Sequence, residues 1–169
     1  MTVTPTLTAP GIVLRPLIPT DAAALFIALS DPDVQLYRRA PAHTALFETQ
    51  AYIADTLAKS RAAWAITIDG GEALGRLALR VPQPDTGEFG IVIRAAAQGR
   101  GLGLKAIQLA EDFAFGDVGV RVLRANIDIE NAASRGLFAR AGFQIAAHLT
   151  ADRTTDLGVR DSVLMEKLR

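Results

Sequence analysis

The stretch Ile91-Val92-Ile93-Arg94-Ala95-Ala96-Ala97-Gln98-Gly99-Arg100-Gly101-Leu102-Gly103-Leu104-Lys105-Ala106 constrains this chain more than any other. A β-branched run leads into three alternating glycines, and the glycines lead into a helical pattern. Glycine lets the backbone turn tightly and approach a ligand closely. The first N–H groups of the helix lack internal partners. Those free donors and the positive end of the helix dipole attract anions, phosphates above all. Arg100 and Lys105 would add local positive charge. A tight turn is the plainer use of such glycines, but three in alternation exceed what a turn needs.

Two well-known phosphate loops fit poorly. A P-loop needs Gly-Lys-Ser/Thr, whereas Gly103 is followed by Leu104, Lys105 and Ala106. Gly101-x-Gly103-x-x-Ala106 does match a dinucleotide fingerprint, with Asp128 ending the next strand at a suitable distance. That motif, however, sits late in the chain. A long antiparallel region precedes it, leaving too few residues for a parallel half-sheet.

Composition sets the outer limits. A chain of 169 residues is one domain at ordinary domain sizes. Eighteen Lys+Arg balance eighteen Asp+Glu, so bulk positive charge for nucleic acid is absent. No nucleic-acid or membrane partner is expected. With no cysteine, disulfides, thiolate metal sites and a Cys nucleophile are excluded. Residues 1–10 are Thr- and Pro-rich without a basic start or apolar run, unlike a signal peptide. No apolar stretch reaches the ~20 residues a membrane span needs. A cytoplasmic protein is expected, and a homodimer is left open.

Period and punctuation predict the order β-α-α-β-β-β-α-β-α-β-β. Ile12 to Leu17 reads as a strand that Pro16 pushes toward a sheet edge. Thr20 and Asp21 open a helix to about Ser30, and a second helix runs from about Thr44 to Arg61. Strands follow at Ala63–Ile68, Ala73–Val81 and Glu88–Arg94, the first two joined by the turn Asp69-Gly70-Gly71. A helix from Gly101 to Phe115 leads to a strand from Val120 to Ile129. A short helix, Ala132–Ala141, stops at Gly142. Strands at about Phe143–Leu149 and Val159–Leu168 complete a mixed α/β or α+β domain.

Gln98-x-x-Gly101-x-Gly103 resembles the acyl-CoA pyrophosphate loop of the GNAT superfamily of N-acyltransferases. Downstream, Asn131-Ala132-Ala133-Ser134, then Leu137 and Gly142-Phe143, resembles that family's second signature block. Leu14-Arg15-Pro16-Leu17 with Asp21-Ala22, and Glu88-Phe89-Gly90-Ile91, are similar to the RimJ/RimL-type branch. The resemblance covers nearly the whole chain and implies a single domain over residues 1–169. Its fold would be a mixed, mostly antiparallel twisted sheet of about seven strands flanked by about four helices. Residues 1–10 would be a poorly ordered N-terminal segment.

The resemblance also implies roles. Acyl-CoA would wedge between the splayed strands Glu88–Arg94 and Val122–Ile129. The pyrophosphate would lie on Gln98, Gly99, Arg100, Gly101, Leu102, Gly103, Leu104 and Lys105, and the pantetheine arm would lie along Ile91 and Ile93. Asn131 would hydrogen-bond that arm, cap the next helix, or do both. A backbone N–H of the Glu88–Arg94 strand would stabilise the carbonyl oxygen. Most members carry a Tyr acid where this chain has Phe138, so Ser134 is the candidate acid, against the simpler role of a first-turn serine. Glu88 is the candidate base. Asn126 and Asp128 share a strand face and would orient the amine, and a salt-bridged role for Asp128 is an equal alternative. Tyr37 and Arg38, with Asp33 and Arg39, would border the acceptor. Trp64 reads as core, and His43 and His148 have no metal-ligand spacing.

The expected activity is acetyl transfer from acetyl-CoA to a primary amine by direct attack in a ternary complex. No metal and no covalent enzyme intermediate are expected. The acceptor would be a protein or peptide N-terminus or a small-molecule amine. The alternative is a catalytically weak acyl-CoA-binding regulatory module, motivated by Phe138.

Overall fold

The computed structural model describes residues 3–169. Eight strands form one sheet: β1 (Leu7–Ala9), β2 (Ile12–Pro16), β3 (Ala62–Thr67), β4 (Gly75–Gln83), β5 (Thr86–Ile93), β6 (Val122–Asp128), β7 (Gln144–Thr155) and β8 (Gly158–Leu168). Their spatial order is β1-β2-β3-β4-β5-β6-β8-β7, and every pairing is antiparallel except β5 with β6. The helices are α1 (Ala22–Leu29), α2 (Pro32–Gln35), α3 (Leu46–Lys59), α4 (Leu102–Phe113) and α5 (Ala132–Arg140). No helix among the described residues is long and apolar enough to cross a membrane.

Each sheet face carries its own core. Leu14, Trp64, Leu77, Leu79, Phe89 and Leu123 pack under α4 and α5. On the opposite face Ala63, Ala65, Ala78 and Val92 pack with Leu25 and Leu29 of α1 and Ile53 of α3. β3 is buried along its whole length, so both sets of its alternating side chains must be apolar or small. Trp64 is core as expected, its Nε1 donating to Pro5 O at 2.7 Å. At the entry to α1, Arg15 grips Asp21 through both guanidinium nitrogens, at 2.7 and 3.0 Å. Asp21 also accepts from Ile18 N–H, which gives the Leu-Arg-Pro-Leu and Asp-Ala segments a structural purpose.

Four expectations are corrected. Residues 7–9, placed in a poorly ordered segment, form β1; residues 1 and 2 lie outside the described part. β2 is therefore not the sheet edge. β1 covers it only from Ile12 to Leu14, so Pro16, which cannot donate a ladder bond, sits beyond the reach of β1. Between the helix expected to end at about Ser30 and the one expected from about Thr44, a further short helix, α2, starts at Pro32, with Asp31 accepting from Asp33 N–H. Finally, β7 runs six residues past Leu149 to Thr155. A register shift between Leu149 and Arg153, with Ala151 at φ 49°, breaks the alternation that would have marked it.

Candidate active site

β5 and β6 pair only at Thr86, Gly87 and Glu88, then diverge. Each is held elsewhere, β5 by β4 as far as Ile93 and β6 by β8 as far as Asp128. Gly75 helps hold β5 away, because a Cβ there would run into Val92 O. Arg94 N–H donates to Leu74 O. By antiparallel alternation, the backbone groups of Phe89, Ile91 and Ile93 therefore turn away from β4 and toward the split. The result is an open strand edge inside the sheet, bordering a cleft of about 950 Å³.

At one end of that cleft lies the glycine loop. Gly99 and Gly101 adopt φ +73° and +77°, and a Cβ at either would meet nothing within 4 Å. Conformation, not space, demands glycine there. Gly101 precedes α4 without any side-chain cap, and the first intrahelical bond is Lys105 N–H to Gly101 O at 3.2 Å. The amides of Leu102, Gly103 and Leu104 are thus left for an outside acceptor. These donors and the open β5 edge fit a pyrophosphate that carries an extended, amide-containing arm.

The side chains around the loop behave differently from the amides. Gln98 Nε2 donates to Ile93 O at 2.9 Å, so this amide secures the turn and occupies one edge carbonyl. Lys105 Nζ donates to Pro10 O at 2.9 Å, tying α4 to the β1–β2 turn. Neither Arg100 nor Lys105 lines the cleft, whereas Gln98, Gly99, Gly101, Leu102, Gly103 and Leu104 do.

α5 closes the same side. Asn131 Oδ1 accepts from Ser134 N–H at 3.1 Å, a helix N-cap. Its NH2 has no partner among the described residues. Asn131 and Ser134 both line the cleft. Phe138, one turn beyond Ser134, is buried edge-on against Phe143 with ring centroids 5.1 Å apart. At this position the chain has an apolar core residue and no proton donor.

The other sheet face presents Glu88, Asn126 and Asp128. Glu88 is half-buried, forms no ion pair among the described residues, and lines a side cavity of about 220 Å³. Asp128 is fully buried and bound by Arg160, Nε to Oδ2 and Nη2 to Oδ1 both at 3.0 Å, with Glu130 N–H on Oδ1. Burial alone would raise its carboxyl, but these hydrogen bonds and the charges of Arg160 and Arg153 hold it below the ordinary carboxylate range. Three hydrogen bonds thus engage the carboxylate, two on Oδ1 and one on Oδ2, and tie it to Arg160. Asn126 is also engaged, donating to Asp152 Oδ2 and accepting from Arg153 Nη2. Tyr37 and Arg38 line the cleft, Tyr37 O accepting from Arg153 Nη1 and Arg38 Nη2 donating to Tyr52 Oη. His43 Nδ1 meets Thr49 Oγ1 at 2.8 Å. No metal-ligating cluster exists among the described residues.

Sequence reasoning missed Arg76, Arg80 and Arg153. The first two had a signal: in Gly75-Arg76-Leu77-Ala78-Leu79-Arg80 the basic residues recur at a spacing of four, hence on one strand face. Arg153 had none, because the register shift in β7 hides its alternation.

The family described as acetyltransferase (GNAT) domain matches residues 12–144 of this chain. No curated protein matches the sequence. Among solved structures, Mycobacterium smegmatis RimJ in complex with CoA-disulfide is 23% identical, with TM-score 0.84 over 97% of this chain and 86% of that one. Spermidine N-acetyltransferase from Vibrio cholerae, bound to CoA and spermine, is 18% identical, with TM-score 0.82 over 95% and 96%. A GNAT-family acetyltransferase from Bacillus anthracis is 16% identical, with TM-score 0.88 over 97% and 98%. At these identities the likeness establishes a shared fold.

Proposed function

The chain belongs to the GNAT acetyltransferase family, and from that premise we propose that it transfers an acetyl group from acetyl-CoA to a primary amine by direct attack in a ternary complex. One observation carries the proposal. The β5 edge beyond its last pair with β6, open at both backbone groups of Ile91 and at the N–H of Ile93, lies between the free amides of Leu102–Leu104 and the sheet face that bears Glu88. A ligand anchored by phosphates at the loop and by strand-like hydrogen bonds along the edge would deliver its far end to that face. The CoA complexes of the RimJ and spermidine N-acetyltransferase structures support CoA as the ligand.

Acetyl-CoA supplies a thioester that is already activated, so much of the rate enhancement can come from positioning. An edge N–H of β5 would donate to the carbonyl oxygen as negative charge develops there. Glu88 would accept a proton from the amine, directly or through one water, on the acceptor face. Ser134 would donate to the departing thiolate on the face of α4 and α5. Base and acid thus stand on opposite sides of the split, where the two proton transfers occur. Asn131 would hold the arm with its spare NH2 while its oxygen caps α5. The acceptor would be a protein or peptide N-terminus or a small amine.

The test is CoA release from acetyl-CoA by the purified protein across a panel of primary amines. Transfer to at least one amine, with an acetylated product of the right mass, is expected. CoA binding without transfer to any amine would replace the enzyme with a CoA-binding regulatory module.

A further inference from the structure

We propose that the acceptor amine also bears an anionic group, a carboxylate or a phosphate, bound by Arg38, Arg76 and Arg153 on the acceptor face of the split. This rests on the acetyl-transfer reading and adds the chemistry of its second substrate.

Arg76 is the anchor of the argument. It projects from β4 beside Gly90, is only 6% exposed, and forms no ion pair among the described residues. Nη1 donates to Gly90 O at 3.0 Å, while Nε is buried without a partner. Its guanidinium lies 5.1 Å from the centre of the Tyr52 ring, and that of Arg38 lies 5.9 Å from the same ring. Arg38 Nη2 also donates to Tyr52 Oη at 3.0 Å. One aromatic residue of α3 therefore fixes two guanidiniums, an arrangement that keeps their remaining N–H groups oriented. From β7, Arg153 donates to Tyr37 O, Asn126 O and Asn126 Oδ1, and its Nε too is buried without a partner. Arg39 and Arg80 add charge at the rim.

The nearby carboxylates neutralise this group only in part: the charges of Asp128 and Asp152 act on Arg153, but no carboxylate pairs with Arg38 or Arg76 among the described residues. Asp128 is consumed by Arg160. Asp152 accepts from Asn126 Nδ2 and Ser162 Oγ, and meets Arg39 only at 3.4 Å. Asp33 is exposed at the cleft mouth, and Glu88 makes no ion pair. Burial, followed by the charges of Arg38 and Arg80, pushes Arg76 down to about 9. Burial, followed by the charge of Arg39, lowers Arg153 as well, against the opposing charges of Asp128 and Asp152. A bound anion would meet the guanidinium N–H groups that face the cavity and relieve that mutual repulsion.

The cluster does not belong to the phosphate loop. Arg76, Arg80 and Glu88 occupy the face of β4 and β5 that packs with α1 and α3, opposite α4. Arg39 and Gly90 line both the side cavity and the main cleft, so the two spaces adjoin beside the split. An amine at Glu88 would place its own anionic substituent among the guanidiniums. A polyamine would meet repulsion there.

The experiment compares kcat/KM for matched acceptors: β-alanine with 3-aminopropanamide, 2-aminoethyl phosphate with ethanolamine, and an Asp-Ala-Ala amide peptide with its Asn-Ala-Ala counterpart. Spermidine is the cationic probe. The anionic member of at least one pair should be favoured by about 10- to 100-fold, the range for charge-assisted hydrogen bonds, and spermidine should be poorest. The winning pair identifies the source as a small carboxylate, a phosphate or an acidic peptide end. Arg76→Met should reduce the anionic-to-neutral ratio at least about tenfold. Arg80→Gln, at an exposed position that leaves the core intact, should reduce it in the same direction. A structural role would lower both members together and leave the ratio unchanged, which overturns the proposal. Preference for neutral or cationic amines overturns it while leaving acetyl transfer standing. Transfer to no probe overturns both.

Discussion

Arg160 grips Asp128 with two guanidinium nitrogens, each 3.0 Å from a different carboxylate oxygen, whereas Glu88, on the same sheet face, forms no ion pair among the described residues. The salt-bridged role of Asp128 needs Arg160, 32 residues later in the chain. The fold brings them together because β8 pairs with β6, Asp128 opposite Ser162.

Asp128→Asn is therefore expected to change stability before chemistry. The folded carboxyl is held below its ordinary value. The pair thus contributes stability above the unfolded value of about 4, and that contribution fades as pH falls toward the folded value. The variant should unfold at lower temperature at neutral pH, and its stability should fall less steeply than that of the parent on acidification. Urea midpoints measured across that range check both signs. A variant with unchanged stability and a raised KM for the amine would instead give Asp128 the amine-orienting role.

Gly101→Ala tests the loop through its backbone. Nothing obstructs the added methyl, so the cost is the left-handed φ of +77°, about 1–2 kcal/mol. If the loop relaxes to avoid that strain, the amides of Leu102–Leu104 turn from their common focus and CoA affinity drops. Gly103→Ala works by contact instead, since its Cβ would lie 3.1 Å from Leu137 Cδ2. It should lower stability with a smaller effect on CoA affinity. Calorimetric titration with CoA, beside thermal unfolding, distinguishes the two.

Asn131→Asp separates the two uses of one side chain. Asp caps helices as well as Asn does, so the bond from Ser134 N–H survives and the melting temperature should hold. The NH2 donor is lost and a charge takes its place, so CoA should bind more weakly. Asn131→Ala removes both functions and should also cost about 1 kcal/mol of stability. Equal CoA affinity in parent and Asn131→Asp would leave Asn131 as a cap only.

The loop, the two-block resemblance and most elements were legible because local periodicity and glycine placement specify them. What escaped depended on contacts between distant segments. Lys105 reads as a phosphate ligand, and nothing local announces that β1 and the turn after it bring Pro10 O within 2.9 Å of its Nζ. Nor does the sequence announce that Gln98 donates back to Ile93 O. Arg153 lies past a register shift in β7, beyond the point where alternation reports a side-chain direction. Arg76 was visible as a basic residue in an alternating strand, but its burial depends on Tyr52 arriving from α3. The residues grouped around Glu88 come from six segments, the α2–α3 connection, α3, β4, β5, β6 and β7, so no single motif announces them.

The acid and the base are best tested as a pair, because their substitutions should respond differently to conservative replacement. An amide cannot accept the proton, so Glu88→Gln should lower kcat/KM about 10²-fold, whereas Glu88→Asp should keep part of it. Ser134→Ala should lower kcat about 10²-fold, with CoA affinity retained because Ser134 N–H still bonds Asn131 Oδ1. Phe138 cannot substitute as the donor, since its ring is apolar and packed against Phe143. Phe138→Tyr in the Ser134→Ala background adds a hydroxyl at the position where the family's usual acid stands, and partial recovery of kcat is expected. Unchanged turnover in Ser134→Ala would mean that the thiolate leaves unassisted or takes its proton from water. Catalysis would then rest on Glu88, the β5 amides and positioning.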